Sequence, residues 1–275
     1  MASSRRRIAP LDPLTHAPSR MRPLRAKARL MAHDMDIQPH HHPWGQLVFS
    51  MAGAVRVEAL QAGQALAFIV PPSRAVWIPP GVEHAVRAIE QADLRTMYVD
   101  PSARLDEEPD WQRCRVLDVS PLLRELVRAL ASVAEGRDEP LAPDPHEAML
   151  IPLIVAELRR AAPVALGLAL PRDKRLRRLC EALLADPQQD AALQAWAREV
   201  GASERTLARL FRQELGTSYR HWRQQLLLAQ ALSLAARKRP LASIASELGY
   251  ATPSAFSAMV KRAVGMSPRE FFASA

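Results

Sequence analysis

The chain of 275 residues has only two cysteines, Cys114 and Cys180, far apart and in no ligand spacing. That argues against a disulfide framework and against a thiolate zinc site. No apolar run approaches the roughly 18 residues a membrane helix requires. The opening stretch, MASSRRRIAPLDPLTHAPSRMRPLRAKARL, lacks the hydrophobic core of a secretory signal. These absences lead us to expect a cytoplasmic protein with no membrane partner. Lysine is scarce as well, 4 residues against 33 arginines, which with abundant alanine reflects a GC-rich coding sequence and suggests a bacterium.

What is present is unevenly placed. The net charge of +8 conceals an acidic middle between basic ends. Residues 1–30 carry 8 basic and 1 acidic side chains, residues 31–170 carry 12 and 19, and residues 171–275 carry 17 and 9. A basic terminal domain suits a polyanionic partner, because each phosphate contacted releases a condensed counterion. The length allows one large domain or two moderate ones.

Residues 1–32 are rich in Arg, Pro and Ser without apolar periodicity and read as a disordered basic tail. Translation beginning at Met21 or Met31 instead of Met1 is equally compatible with that reading. Residues 33–100 change texture. Short apolar runs (QLVFSM, AVRVEAL, QALAFIV, AVWIPP, HAVRAIE, LRTMYVD) are punctuated by Gly53, Gly63, Pro71–Pro72 and Pro79–Pro80–Gly81. Regular short strands with such turns predict a β-sandwich or barrel whose inward side chains could line a ligand pocket. Residues 101–170 contain two segments of helical spacing, 121–135 and 145–161, expected to form a linker or dimerisation region. In the first, Leu122, Leu123, Leu126, Val127 and Leu130 would form one apolar stripe. Residues 171–275 read as helical throughout. The fold class expected is therefore α+β, in two domains.

The strongest signal is an internal duplication. WAREVGASERTLARLFRQELG (196–216) reads as helix, turn at Gly201 and second helix, with Arg205, Arg209 and Arg212 outward. After Pro240 the pattern returns as IASELGYATPSAFSAMVKRAVG. Ala197, Glu199, Val200 and Gly201 reappear 48 positions on as Ala245, Glu247, Leu248 and Gly249. Past the turn the offset is 49, taking Leu207, Leu210, Arg212 and Gly216 to Phe256, Met259, Lys261 and Gly265. Between the copies, Tyr219–Lys238 reads as one helix about 30 Å long. That is close to one turn of DNA, about 34 Å, so both second helices could enter successive major grooves.

Residues 173–272 thus resemble the DNA-binding domain of the AraC family of bacterial transcription regulators. The resemblance rests on SERTLARLFRQELG, the long middle helix, IASELGY and the closing GMSPREF. It implies double-stranded promoter DNA as partner, with RNA polymerase as a second partner of an activator, and a homodimer. Base-reading positions carried over fall on Glu204, Arg205, Ala208 and Arg209, and on Pro253, Ser254, Ser257 and Ala258. Ser203, Thr206 and Thr252 stand at the helix starts, and Arg212, Lys261 and Arg262 would meet phosphates. The family commonly has arginine where this chain has Ala258, which removes a bidentate guanine contact. The first unit is therefore expected to carry most base readout.

The strand-rich segment has its own resemblance. His40-His-His42, Gln46, Gly53 and Pro79-Pro-Gly81-Val-Glu-His84 resemble the two motifs of the cupin superfamily. The resemblance implies that His40, His42 and His84 converge, with Gln46 where cupins place a metal-binding carboxylate. An amide is a weaker ligand than a carboxylate. Three readings follow: an effector site needing no cofactor, a divalent metal on His40, His42, His84 and the Gln46 carbonyl, or structural histidines. Trp44, Arg74 and Trp77 are further candidates for the effector pocket, Arg74 for an anionic ligand. The leading functional reading is a regulator in which a cupin-like barrel senses a small molecule and controls promoter binding. The alternative is a metal-dependent cupin enzyme with an appended DNA-binding domain.

Overall fold

Period-two alternation, glycine turns and capped helical runs divide the chain as the sequence suggests, with additions at both edges of the strand-rich domain. The computed structural model describes residues 6–10, 16–72, 74–105, 109–133, 143, 145–164, 167–189 and 192–272. They form two compact units, the first reaching residue 165 and the second following it; the second also takes in the strand segment 62–67.

The first unit contains β1 (Arg6–Ile8), β2 (Leu24–Met31), β3 (Met35–His40), β4 (Gly45–Ala52), β5 (Val55–Gln61), the end of β6 (Gln64–Val70) from Phe68 on, β7 (Arg74–Ile78), β8 (Glu83–Ala88), β9 (Ala92–Val99) and β10 (Arg115–Asp118). Helices α1 (Pro121–Val133) and α2 (Pro145–Arg160) and the short β11 (Pro163–Val164) follow. One sheet runs β1-β3-β8-β5-β6 and the other β11-β10-β7-β4-β9-β2. Two sheets face to face make a jelly-roll-like version of the expected barrel. Gly53 links β4 to β5 at φ 71°, and a Cβ there would lie 2.1 Å from the Gln91 carbonyl oxygen, so only glycine fits that turn.

The expected boundaries of this domain need correcting on both sides. Leu24–Met31 is no tail: all eight residues pair antiparallel with β9, from Leu24 opposite Val99 to Met31 opposite Ala92. Its Leu and Ala alternate with Arg and Lys, with Leu24 and Ala26 buried on one face and Arg25 and Met31 on the other, so the segment has strand periodicity at low hydropathy. Arg22 is buried too, its Nη2 donating to Glu147 Oε1 at 2.6 Å on α2. The region after residue 100 is likewise part of the domain. β10 pairs with β7, and α1 and α2 cover the outer face of the second sheet. Leu123, Leu126, Val127 and Leu130 pack with Ile154 and Leu158 onto Leu47, Phe49, Trp77 and Met97. Leu122, expected in that stripe, is instead 53% exposed.

The second unit holds β12 (Gly167–Leu170), α3 (Lys174–Ala185), α4 (Leu193–Glu199), α5 (Glu204–Leu215), α6 (Tyr219–Ala236), α7 (Leu241–Glu247), α8 (Pro253–Val264) and α9 (Pro268–Phe271). The duplication recurs in the packing. Trp196, Ala197, Val200, Leu207, Leu210 and Phe211 are buried in the first copy. Ile244, Ala245, Leu248, Phe256, Met259 and Val260 are buried at the matching positions of the second. α6 is buried on nearly all sides, including Trp222, Leu226, Ala229 and Ser233, as befits a helix shared by two helix pairs.

Candidate DNA interface and histidine-lined site

Each helix-turn-helix copy is fixed by the same local chemistry. Gly201 (φ 67°) and Gly249 (φ 80°) take left-handed backbone at the turns. Ser203 Oγ accepts the Thr206 N–H at 3.1 Å, and Thr252 Oγ1 accepts the Ala255 N–H at 3.1 Å. These are N-caps that satisfy the first orphan amides of α5 and α8. α5 ends at Gly216 and α8 at Gly265, both left-handed C-caps. Ser267 and Glu270 close a capping box on α9.

These caps hold two helices whose outward faces differ in chemistry. On α5, Glu204, Arg205, Arg209 and Arg212 are exposed and Ala208 is half-buried. Arg209 Nη1 donates to Gln213 Oε1 at 2.8 Å, which braces its guanidinium along the helix face. On α8, Pro253, Ser254 and Ala258 are exposed, and the Ser257 hydroxyl donates to the Pro253 carbonyl at 2.9 Å. Lys261 and Arg262 are exposed in the last turn, where cations complement the helix dipole. Ser203, Thr206 and Thr252 have side chains committed to capping.

The inner faces of the two sheets bring four expected residues together. Gln46 on β4 lies opposite Ile78 and Tyr98, while His40 on β3 lies opposite His84 on β8. The ligand atoms of His40, His42 and His84 all lie within 4.8 Å of one another. Each Nδ1 sits against a backbone carbonyl: His40 on Gln38 at 2.9 Å, His42 on Trp44 at 2.7 Å, His84 on Val82 at 2.9 Å. A carbonyl can only accept, so each neutral ring carries its proton on Nδ1 and leaves a lone pair on Nε2. His42 Nε2 and His84 Nε2 lie 2.6 and 3.0 Å from the Gln46 side-chain Oε1 position. Two acceptors repel at that separation. The amide is therefore consistent with its NH2 turned inward, donating one N–H to each ring.

Burial first, and then neighbouring histidines, push His84 down to about 3. Burial is also the main cause that lowers His42 and His40. All three are thus neutral at pH 7, the state in which imidazole ligates metal or accepts a hydrogen bond. This donor set fits a divalent cation of the zinc or nickel kind. A tetrahedral zinc would draw the three nitrogens to about 3.4 Å from one another. Trp44 completes the site, stacked on His42 with centroids 5.2 Å apart and planes at 10°.

Two expected pocket residues lie elsewhere. Trp77 points from the opposite face of β7 into the core beneath α1 and α2, its Nε1 donating to the Trp111 carbonyl at 2.7 Å. One strand holds both faces, and neighbouring residues alternate between them. Arg74 does face inward but at the far end of β7, four residues from Ile78, where Nη1 donates to Asp118 Oδ1 at 2.6 Å. Conversely, Tyr98 was missed. It pairs with Gln46 across β4 and β9, and its ring meets His42 edge-on at 5.4 Å.

Comparison with known proteins matches both units to described families. Residues 24–149 match a family described as AraC-like ligand binding domain, and residues 196–274 one described as helix-turn-helix domain. The HTH-type transcriptional regulator NimR of Escherichia coli is 34% identical over 234 residues, covering 85% of this chain and 81% of that protein. The arabinose operon regulatory protein of Escherichia coli is 28% identical over 249 residues, covering 83% and 82%. These relatives are regulators, so the enzyme alternative falls. With a ligand-binding domain of jelly-roll type ahead of two capped helix-turn-helix copies, the chain belongs to the AraC family of DNA-binding transcription regulators.

Proposed function

We propose that this regulator reads promoter DNA unequally with its two copies, in the cytoplasm and as a homodimer, under control of an effector bound between the sheets. The contrast between α5 and α8 carries this reading. α5 presents Arg205 and Arg209, long donors able to contact guanine bidentately, whereas α8 presents Pro253, Ser254 and Ala258, with the Ser257 hydroxyl already engaged. Arg212, Lys261 and Arg262 contact phosphates and set the register, with backbone amides at the helix starts. We expect Arg209→Ala to weaken specific binding by about 1–3 kcal/mol, roughly 5- to 150-fold, and to relax base preference at one position. Ser254→Ala with Ser257→Ala should change affinity little and preference less. Fluorescence anisotropy on operator variants decides this. Retained preference in the arginine variant together with its loss in the serine variants would reverse the assignment.

The effector site proposed is His40, His42, Gln46 and His84 with Trp44 at its edge. An effector shifts DNA binding only through unequal affinity for the two states of the protein. Exposed Leu122 on α1 and Met149 and Leu153 on α2 support a dimer contact along these helices. RNA polymerase is the further partner if the regulator activates.

A second reading is favoured by one observation, the three Nδ1 atoms anchored on carbonyls with their Nε2 lone pairs converging. Such anchoring is the usual support of metal-binding histidines. His40, His42 and His84 would hold a divalent cation, with the Gln46 amide turned to offer its oxygen, and the cation would supply a Lewis-acid contact to the effector. Titrating the full chain with Zn²⁺ should then show one site, weakened at least about tenfold by His84→Ala. Heat-free titrations up to millimolar zinc would assign the histidines to the effector alone.

A further inference from the structure

The register of β2 places charge where the sequence suggested a loose tail. Arg25 lies opposite Tyr98, Lys27 opposite Thr96 and Arg29 opposite Leu94. Tyr98 and Thr96 in turn lie opposite Gln46 and Val48 on β4. Directly paired residues share a face of the sheet. The Gln46 side chain meets His42 and His84 between the sheets, so Arg25, Lys27 and Arg29 share that inner face. Leu24 and Ala26, on the other face, are in the core under α1 and α2.

Lys27 and Arg29 are half-buried and, among the described residues, neither has an ion-pair partner. The Arg29 Nη1 is buried with no acceptor. Burial, and then the Arg29 guanidinium itself, lowers the Lys27 ammonium from its usual range. Among the described residues, the strands that line this face offer no compensating anion. Asp118 is held by Arg74, and Asp36 on β3 pairs outward with Arg87, its neighbour on β8. The indole N–H of Trp44, beside His42 and Tyr98, is also buried without an acceptor. Around Lys27 and Arg29 the described residues therefore leave donors and positive charge in surplus. Two like charges confined together destabilise a protein unless something acidic joins them.

We propose that the effector is a small organic carboxylate, whose acid group is held by Lys27 and Arg29 and whose body extends toward Tyr98 and Trp44. The proposal rests on the effector site lying between the sheets and adds its chemical class. Lys27 stands two residues along and two strands across from Gln46, about 12 Å in backbone terms, a span that long side chains and a molecule of benzoate or octanoate size fill together. A carboxylate supplies acceptors to a guanidinium and an ammonium at once, with charge-assisted hydrogen bonds of about twice the ordinary strength. A neutral sugar or amide leaves the two cations unneutralised.

The test uses the full chain and matched probes: benzoate, phenylacetate and octanoate, each beside its own amide. Binding is read by tryptophan fluorescence and by the shift in thermal midpoint. We expect at least one acid to bind tenfold or more tightly than its amide, and Lys27→Gln and Arg29→Gln each to weaken it at least tenfold. The unliganded midpoints of both variants should equal or exceed that of the unsubstituted chain, which shows that they fold. Equal binding of acid and amide, no binding by any acid, or acid binding untouched by both substitutions overturns the proposal. Trp44→Phe separates the two levels of inference. Amide binding that needs Trp44 but not Lys27 keeps the effector site and rejects the anion. Acid binding that needs Lys27 but not Trp44 keeps the anion and moves the site.

Discussion

Raising monovalent salt from 50 to 200 mM should weaken promoter binding by about 40-fold if one chain binds, and by about 2,000-fold if two do. The figures follow from the exposed cations assigned to phosphates. Arg212 on α5 and Lys261 and Arg262 on α8 make three. At about 0.9 counterions released per phosphate neutralised, three contacts give a log–log slope of about −2.7. A fourfold rise in salt is about 0.6 log units, hence about 1.6 log units of affinity, and a homodimer doubles both. The slope thus counts phosphates and chains at once. Arg212→Ala should reduce its magnitude by about 1 per chain and lower affinity evenly across sequences, since a phosphate contact carries no base information. A flat salt response would reject the assignment of this face to DNA. A slope of about −2.7 at saturating protein would reject the dimer and leave the face intact.

The DNA-reading half was legible in the sequence because it is written twice. Caps, turn glycines and buried positions recur at offsets of 48 and 49, so each copy checks the other, and local chemistry alone fixes both. The histidine site was legible for a different reason: His40, His42 and Gln46 lie within seven residues, and only His84 is remote. What escaped was whatever depended on strand pairing. β2 reads as LRAKARLM, a period of two carried by alanine and arginine, and its low hydropathy masked its place beside β9. Its three inward cations were therefore counted as tail charge. Tyr98 was assigned to a strand but to no site, because nothing local says that it lies opposite Gln46. Arg74 and Trp77 failed by register as well. Arg74 is on the right face at the wrong end, and Trp77 is on the wrong face near the right end.

Trp77→Ala should lower the stability of the ligand-binding domain by about 3–5 kcal/mol, the range for deleting a buried aromatic side chain. Trp77 is 1% exposed, and its ring meets Trp111 edge-on at 5.1 Å with planes at 81°. It also lies over Gly45 on the neighbouring strand, where a Cβ would come 2.1 Å from the Trp77 Cη2. The substitution therefore opens a cavity between the second sheet and the two helices that cover it. It also strips the Trp111 carbonyl of its donor, and an unsatisfied buried acceptor costs about 1–3 kcal/mol by itself. Trp77→Phe keeps the ring over Gly45 and should lose mainly the hydrogen bond, leaving the same carbonyl unsatisfied at about 1–3 kcal/mol. Denaturant unfolding followed by circular dichroism orders the two variants. Had Trp77 lined the effector pocket, the phenylalanine variant would change ligand affinity at nearly unchanged stability. The geometry requires the reverse, a loss of stability with carboxylate or zinc binding unaltered in whatever fraction remains folded. That outcome assigns the two faces of β7 to separate tasks: the odd positions hold the domain to its helices, and the even positions face the interior where the effector is bound.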